Sequence, residues 1–516
     1  MERLAPFSTK YPSILVLVAL IGLAALLWLP VGFESGVTGD AWIYSMQVNQ
    51  GDIFAHALPI RLFIPVPWLI AFAVTPGSFL GITLITFMLL VGKSWFLFLI
   101  TRRLTSNERF AFTVAVIYLF LPVDTGIFYL GALAVHFSAF CYLVAVFCFL
   151  EYWQKRRMLP ILVMAIAQLL ACGIYEVVFV FAAITPLILI LETKHVTGQV
   201  IRSAILWYIV PLLAGLWYIG IVLAFPRAIQ YQAGIAQVDR SLGVMLRSLL
   251  RTIQHHFWDG WAITNTNFLP AAISAALIVA LLMLIWHKTT KAPSLWNVPV
   301  GGAILIAGIV LYLPTSLRDE TLRTFYFSGI GAALVIAVIV ERIHWRMLNA
   351  VVIALLVGTG CLSLLSQHRE YIEQSRQQRA ILSEMTEVLP QLKSGTGVVF
   401  IDRSGELLQV IGSPLYMEYM LPLVYGDFSL TGTLCQPEQV GSQETDRCYF
   451  GPASFNASGV RRQVRVTYDS LVVVDYTNDG YQVRTTLDGI QNYAPEERLL
   501  PPDPNLATRL RRLFGE

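Results

Sequence analysis

Residues 13–44 read SILVLVALIGLAALLWLPVGFESGVTGDAWIY. The twenty positions from Ser13 to Gly32 carry no charge, which is the length of apolar chain that crosses a bilayer as one helix. Arg3 and Lys10 precede the run, as they would in a signal peptide. The run is too long for a signal-peptide core and no A-x-A site follows, so an uncleaved first span is expected. Within eight residues the chain reaches Thr38-Gly39-Asp40-Ala41-Trp42-Ile43-Tyr44, an acid beside a glycine and among aromatic residues.

The rest of the chain repeats the apolar pattern. Of 516 residues, 56% are hydrophobic and only 13% charged, about half the charged share of a soluble domain. The mean hydropathy is +0.64. Charges this sparse cannot coat several soluble domains, and a chain this apolar is neither disordered nor fibrous. A net charge of +3 offers no surface for nucleic acid, and six cysteines make no disulfide scaffold. A polytopic α-helical membrane protein remains. After the first span, nearly uncharged stretches recur at about 77–101, 110–123, 131–150, 159–174, 177–191, 203–225, 267–286, 298–314, 324–340 and 347–366. The expectation is about eleven transmembrane helices. Lys93 is the one charge within those ten stretches, and it is expected to snorkel from near the inner end of its helix.

The charges divide the chain in two. Residues 1–366 hold 22 Lys/Arg and 14 Asp/Glu, whereas residues 367–516 hold 14 and 19. This predicts a transmembrane domain over 1–366 and a soluble α/β domain over 367–516. Leu62–Val91, interrupted by Pro65, Pro67 and Pro76-Gly77, could hold one helix or two. If 62–75 is interfacial and does not span, the connections alternate cleanly. One set of ends then carries Arg3, Lys10, Arg102, Arg103, Arg109, Lys155, Arg156, Arg157, Lys194, Arg202, Lys288, Lys291, Arg342 and Arg346, which makes 14 basic residues against 5 acidic. The opposite set has 7 against 9. The positive-inside rule makes the first set cytoplasmic. The N-terminus is then cytoplasmic and the C-terminal domain extracytoplasmic, in a cell (plasma or inner) membrane.

On the outer side lie loops 33–62, 226–266 and 315–323 and two tight turns. Asp40 can take a proton from a hydroxyl or hold a divalent cation; its other role would be to cap the helix that begins at Ala41. Asp52 and His56 are four apart on the same loop, and Arg61 ends it. Glu176 follows Tyr175 at a hairpin, where an acid is costly unless paired or solvated. Asp124 reads as a turn cap. Arg318 and Arg323 flank Asp319 and Glu320, and arginines at this edge suit phosphate. The 226–266 loop interleaves Arg247, Arg251 and Trp258 with leucines, the pattern of an amphipathic interfacial segment. There is no HExxH, CxxC, DxD, Walker A, GxGxxG or GxSxG motif, so no metal site is assigned.

In the C-terminal part, Gln367–Leu389 reads as a polar helix and Gly397–Ile401 as a buried strand. Val464–Tyr468 and Leu471–Tyr476 are strands, and Asn478-Asp479-Gly480 turns into Tyr481–Thr486. Residues 495–504 read as irregular. Cys435 and Cys448 enclose twelve residues, and outside the cytoplasm a disulfide is expected between them.

A first span, an outer loop with an acid, an interfacial helix, many short spans and an outer C-terminal domain together resemble the GT-C glycosyltransferases. The matching pieces are Gly39-Asp40-Ala41-Trp42, Tyr175-Glu176, Arg318 with Arg323, and the polar helix followed by the strand Val398–Ile401. Many members carry paired acids where this chain has Asp40-Ala41. The resemblance implies a polyprenyl-phosphate-linked sugar as donor and a glycan, lipid or protein as acceptor. Asp40 would deprotonate the acceptor hydroxyl, Arg318 and Arg323 would hold the phosphate, and Glu176 would position hydroxyls. Asp52, His56, Arg61 and Tyr175 complete the candidate substrate-binding set. The alternatives are an O-antigen-type polymerase or ligase and a non-enzymatic polysaccharide or lipid transporter.

Overall fold

The computed structural model describes residues 12–29, 32–34, 36, 39, 41–51, 61–123, 128–189, 195–224, 241–263, 268–285, 293–315, 321–441, 448–458, 463–487 and 490–515. The first part is helical: α1 Pro12–Trp28, α2 Ala41–Gln50, α3 Val66–Val74, α4 Leu80–Thr105, α5 Glu108–Leu119, α6 Leu133–Lys155 and α7 Met158–Cys172. Then follow α8 Val177–Ile184, α9 Gly198–Ala224, α10 Leu242–Phe257, α11 Phe268–Ile285, α12 Asn297–Ile309, α13 Thr321–Val340 and α14 Arg346–Val388. Each apolar stretch of the sequence contains one of them, because its side chains offer the backbone no competing partner. Among the described residues four helices are long and apolar enough to cross a membrane: Leu80–Thr105, Leu130–Lys155, Gly198–Ala224 and Arg346–Val388. Others, such as Met158–Cys172 and Asn297–Ile309, are apolar but shorter. Two of the helices touch backbone to backbone: a side chain at Gly308 or Gly331 would run into the main chain of the facing helix of the α12–α13 pair.

The nine residues of α3 rise about 13 Å, less than half of a ~30 Å hydrocarbon core. The Phe63 N–H donates to Gly173 O (3.2 Å), and beyond α3 the Gly81 N–H donates to Thr75 Oγ1 (2.6 Å).

Polar contacts gather the basic helix ends at one end of the bundle. Arg102 bonds Ser13 and Arg103 bonds Glu151. Arg109 pairs with Glu341 (3.1 Å) and Asn349 (2.5 Å), while Thr113 donates to Glu341 (2.7 Å). These bonds join the start of α1, the ends of α4 and α6, the start of α5, the end of α13 and the start of α14. At the opposite end Ser363 and Gln367 of α14 donate to Gly260 O and Pro122 O (2.8 and 2.9 Å). There α10 packs through Ser248, Thr252 and His256, while Leu246, Arg247, Leu250 and Arg251 face outward. Burial lowers the His256 pKa to about 4, so the ring is neutral. Its Nδ1–H donates to Thr252 O (2.7 Å) and its Nε2 accepts from Ser328 (2.8 Å), which ties α10 to α13.

Lys93 does not snorkel. It is 1% exposed, and its Nζ lies 2.8 Å from His136 Nδ1 and 5.7 Å from the centre of the Tyr118 ring. The reason is the length of α4: its helix runs on to Thr105, which leaves Lys93 near the middle and facing α6.

The position expected to separate the two domains, 366/367, falls inside α14, which runs unbroken for 43 residues, about 64 Å. Beyond it come β1 Gly397–Asp402, α15 Glu406–Ile411, α16 Met417–Tyr425, β2 Thr431–Cys435, β3 Val440–Gly441, β4 Cys448–Phe450, β5 Ser454–Ser458, β6 Gln463–Thr467, β7 Leu471–Thr477, β8 Gly480–Val483 and α17 Leu506–Leu513. One sheet has the order β2-β1-β7-β8, with β1 parallel to β2 and β7 and the 478–480 hairpin adding β8 antiparallel. The other has the order β3-β4-β5-β6. Alternation along β1 sends Val399 and Ile401 into the core shared with Phe455 and Val466 of the second sheet, while Val398 and Phe400 join the core of the helices. β8 ends at Val483, short of the expected Thr486, and Arg484 bonds back to Asp475 (2.5 Å). A disulfide joins Cys435 of β2 to Cys448 of β4, and with it the two sheets. Cys435→Ser/Cys448→Ser should destabilise the C-terminal unit by about 3 kcal/mol, the loop-entropy value for a ring of this size. Limited proteolysis with and without reductant measures this, and the double variant should lose its response to reductant.

Candidate functional site

Tyr175 and Glu176 occupy the turn between α7 and α8, where the chain reverses at the end of the bundle that carries α10 and the C-terminal unit. An acid at the end of two apolar helices needs a partner, and Arg61 supplies it. Arg61 Nη2 and Nε both donate to Glu176 Oε1 (2.6 and 3.2 Å), with about a fifth to a quarter of each side chain exposed. The guanidinium also lies 5.2 Å from the centre of the Tyr175 ring. Burial by itself would lower the Arg61 pKa; the adjacent Glu176 and then Tyr175 outweigh it, so the pKa rises above the ordinary arginine value. Glu176 Oε2 is buried and has no hydrogen-bond partner among the described residues. This is an acceptor open to an added hydroxyl or N–H donor.

Three further segments reach the pair. Tyr44, one turn into α2, interacts electrostatically with Arg61 and stacks on Trp68 (5.5 Å). Tyr312, at the foot of the 315–323 loop, is hydrogen-bonded to Tyr175. Tyr218 of α9 interacts with both Glu176 and Arg61. Tyr44 and Arg61 of the first connection, the 173–176 turn and Tyr312 therefore meet at one place.

The Gly39 turn precedes α2 and is closely covered. Gly39 has φ +61, and a side chain there would run into the Tyr129 hydroxyl, with the Tyr416 hydroxyl next nearest. Tyr129 faces Tyr371 of α14 with ring centres 6.0 Å apart, and Tyr416 comes from the C-terminal unit. Just past the turn, Trp42 is fully buried against Phe79 (5.2 Å) and Phe514 (6.3 Å). The segment that begins with Gly39 is thus held between the helical bundle and the C-terminal unit.

Asp40, Asp52, His56, Asp124 and Arg318 lie outside the described residues, as does the side chain of Arg323, whose backbone is in α13. Of the candidate residues, Arg61, Tyr175 and Glu176 are brought into contact. Sequence reading missed Tyr218 and Tyr312 beside them, and Tyr129, Tyr371 and Tyr416 near Gly39. Tyrosines at the ends of apolar helices are ordinary interfacial residues, and only the assembled fold separates these from the rest. No cluster of His, Cys, Asp and Glu able to hold a metal ion occurs among the described residues. No family model matches the sequence, and no curated protein does.

Arg61 and Glu176 should act as a pair. Arg61→Met should lower the melting temperature clearly in the wild-type background and much less in Glu176→Gln. A coupling of about 1–3 kcal/mol is expected for two charged groups in direct contact, measured by a double-mutant cycle on the purified protein.

Proposed function

We propose that the protein is a membrane glycosyltransferase of GT-C type, with about eleven spans, a cytoplasmic N-terminus and its reaction site on the extracytoplasmic face. It moves a sugar from a polyprenyl-phosphate-linked donor to an extracytoplasmic acceptor with inversion. The observation that carries this reading is the convergence of Arg61, Tyr175, Glu176 and Tyr312 at the bundle end that bears the C-terminal unit, with one buried Glu176 oxygen unpaired among the described residues. A carboxylate among tyrosine hydroxyls suits a polyhydroxyl ligand, since each group offers an acceptor or donor to a sugar hydroxyl. The gathering of the basic helix ends at the far end of the bundle supports the orientation.

In the proposed reaction Asp40 accepts the proton of the acceptor hydroxyl. The freed oxygen forms a bond to the anomeric carbon as the bond from that carbon to the phosphate oxygen breaks. The electron pair leaves with the lipid phosphate, whose charge Arg318 and Arg323 balance, so no nucleotide is required. Glu176, fixed by Arg61, accepts a hydrogen bond from a sugar or acceptor hydroxyl through Oε2.

Asp40→Asn in the purified protein should reduce transfer by about 10²- to 10⁴-fold, the usual worth of a general base, while binding of the lipid-phosphate sugar persists. Glu176→Gln should cost about tenfold or more, as expected for a hydrogen bond to a charged acceptor. Unchanged transfer in Asp40→Asn removes Asp40 as the base. The buried Lys93–His136 pair favours a second reading, a lipid or polysaccharide transporter, because a charge inside a helix bundle commonly marks a transport path. Counterflow of substrate in proteoliposomes without a new glycosidic bond would establish the transporter and exclude the transferase.

A further inference from the structure

At the basic end of the bundle, α6, α7 and α9 enclose an open cleft of about 510 Å³ lined by Tyr152, Arg156, Met158, Gly198, Gln199 and Arg202. It lies at the opposite end from Glu176. Lys155-Arg156-Arg157 is the kind of basic turn that serves only to orient a membrane helix, but Arg156 is held more firmly than that role needs. It closes α6 in the left-handed conformation at φ 52, rare for a residue with a side chain, and its N–H donates to Tyr152 O (2.9 Å). Its guanidinium lies over the rings of Tyr152 and Trp153 (5.1 and 4.9 Å) and donates to Ser203 Oγ of α9 (3.2 Å). Arg202 faces the same cleft from the first turns of α9.

Two arginines lining one cleft call for an anion, and the described residues do not provide one. Glu151, the acid of this turn, is taken by Arg103 and by Lys155 (2.6 Å). Among the described residues neither Arg156 nor Arg202 has a carboxylate partner. The surroundings say what kind of anion would fit. Along α7, Leu159 and Leu162 are exposed, and along α9 so are Ile201, Ile205 and Ile209. A cationic cleft therefore stands at the head of an uncovered apolar surface. Free phosphate would satisfy the arginines and leave that surface bare, whereas an anionic phospholipid satisfies both.

We propose that this cleft binds the headgroup of an anionic phospholipid, its phosphate on Arg156 and Arg202 and its chains along α7 and α9. Basic pockets between spanning helices are sites of this kind. The proposal rests on the membrane reading above and is independent of the sugar-transfer reading.

The test is native mass spectrometry of the full-length protein in detergent, titrated with short-chain phosphatidylglycerol, phosphatidylcholine or inorganic phosphate. The wild type should retain phosphatidylglycerol over phosphatidylcholine. Arg156→Gln/Arg202→Gln should weaken that retention about tenfold or more, from roughly fivefold for each basic residue near an anionic lipid. Gln199→Glu keeps both arginines and adds a carboxylate to the exposed lining. It should weaken binding too, and it decides the matter if the double variant does not fold. Equal retention of the two lipids, or unchanged retention in the variants, overturns the proposal. Inorganic phosphate competing as well as phosphatidylglycerol also overturns it, by assigning the cleft to a soluble anion. A chain that stays monodisperse without detergent overturns the membrane reading itself, whereas unchanged sugar transfer in Asp40→Asn overturns the catalytic reading and leaves the lipid site standing.

Discussion

An apolar helix can hold an ion pair only where it ends, and the bundle is built around that limit. Its described ion pairs, Arg102–Glu108, Arg103–Glu151, Lys155–Glu151, Arg109–Glu341 and Arg61–Glu176, sit at or within a turn or so of helix ends. Such pairs contribute little net stability, because removing two charges from water cancels most of their attraction. They contribute register. Arg109 can reach Glu341 and Asn349 only if the start of α5 meets the junction of α13 and α14. Arg61 can reach Glu176 only if it is placed beside the α7–α8 turn. The end-to-end pairing thus fixes which helix termini share a face, and the site follows from that sorting.

The C-terminal unit is part of the same device. α14 leaves the bundle and continues as a rod into the sheets, so the unit cannot turn freely at that junction. A second attachment comes from the chain's end: Leu513 O accepts the Phe79 N–H (2.8 Å), and Phe514 packs on Phe79 and Trp42. Arg376 of α14 also pairs with Glu34 of the first connection (2.5 Å). Burying an indole the size of Trp42 is worth several kcal/mol, at about 25 cal/mol per Å² over roughly 200 Å². The segment around Gly39 is consequently as well anchored as a core element, although it begins in a loop.

Sequence reading was strongest where a pattern is set by local physics. Uncharged runs become helices, β-branched runs beside Asn478-Asp479-Gly480 become a hairpin, and Cys435 finds Cys448. It was weaker where the outcome depends on which face meets which neighbour. Lys93 reads as a snorkelling residue because the sequence does not reveal that His136 waits on α6. The polar stretch after 366 reads as a separate helix because a change of solvent leaves a mark in composition, while the backbone continues through it. β2, α16 and α17 carry mixed patterns whose placement is decided by packing on β1, α2 and Phe79. Glu176 and Arg61 could be singled out as costly charges; their contact, 115 residues apart in sequence, could not.

The state of Glu176 carries one more step. A carboxylate with two donors on one oxygen and none on the other is half satisfied, and a buried oxygen without a donor costs about 1–3 kcal/mol. A purely structural ion pair could avoid that cost with both oxygens facing the fork of the guanidinium, the common arrangement for arginine and carboxylate. Here Nε and Nη2 converge on Oε1 alone. The tyrosines that approach do not relieve it: Tyr312 bonds Tyr175, and Oε2 stays unpaired among the described residues. A residue held this way has its position set by the protein and its remaining valence set aside. That is the condition expected of a group that positions a ligand hydroxyl, because the donor it lacks is one the ligand brings.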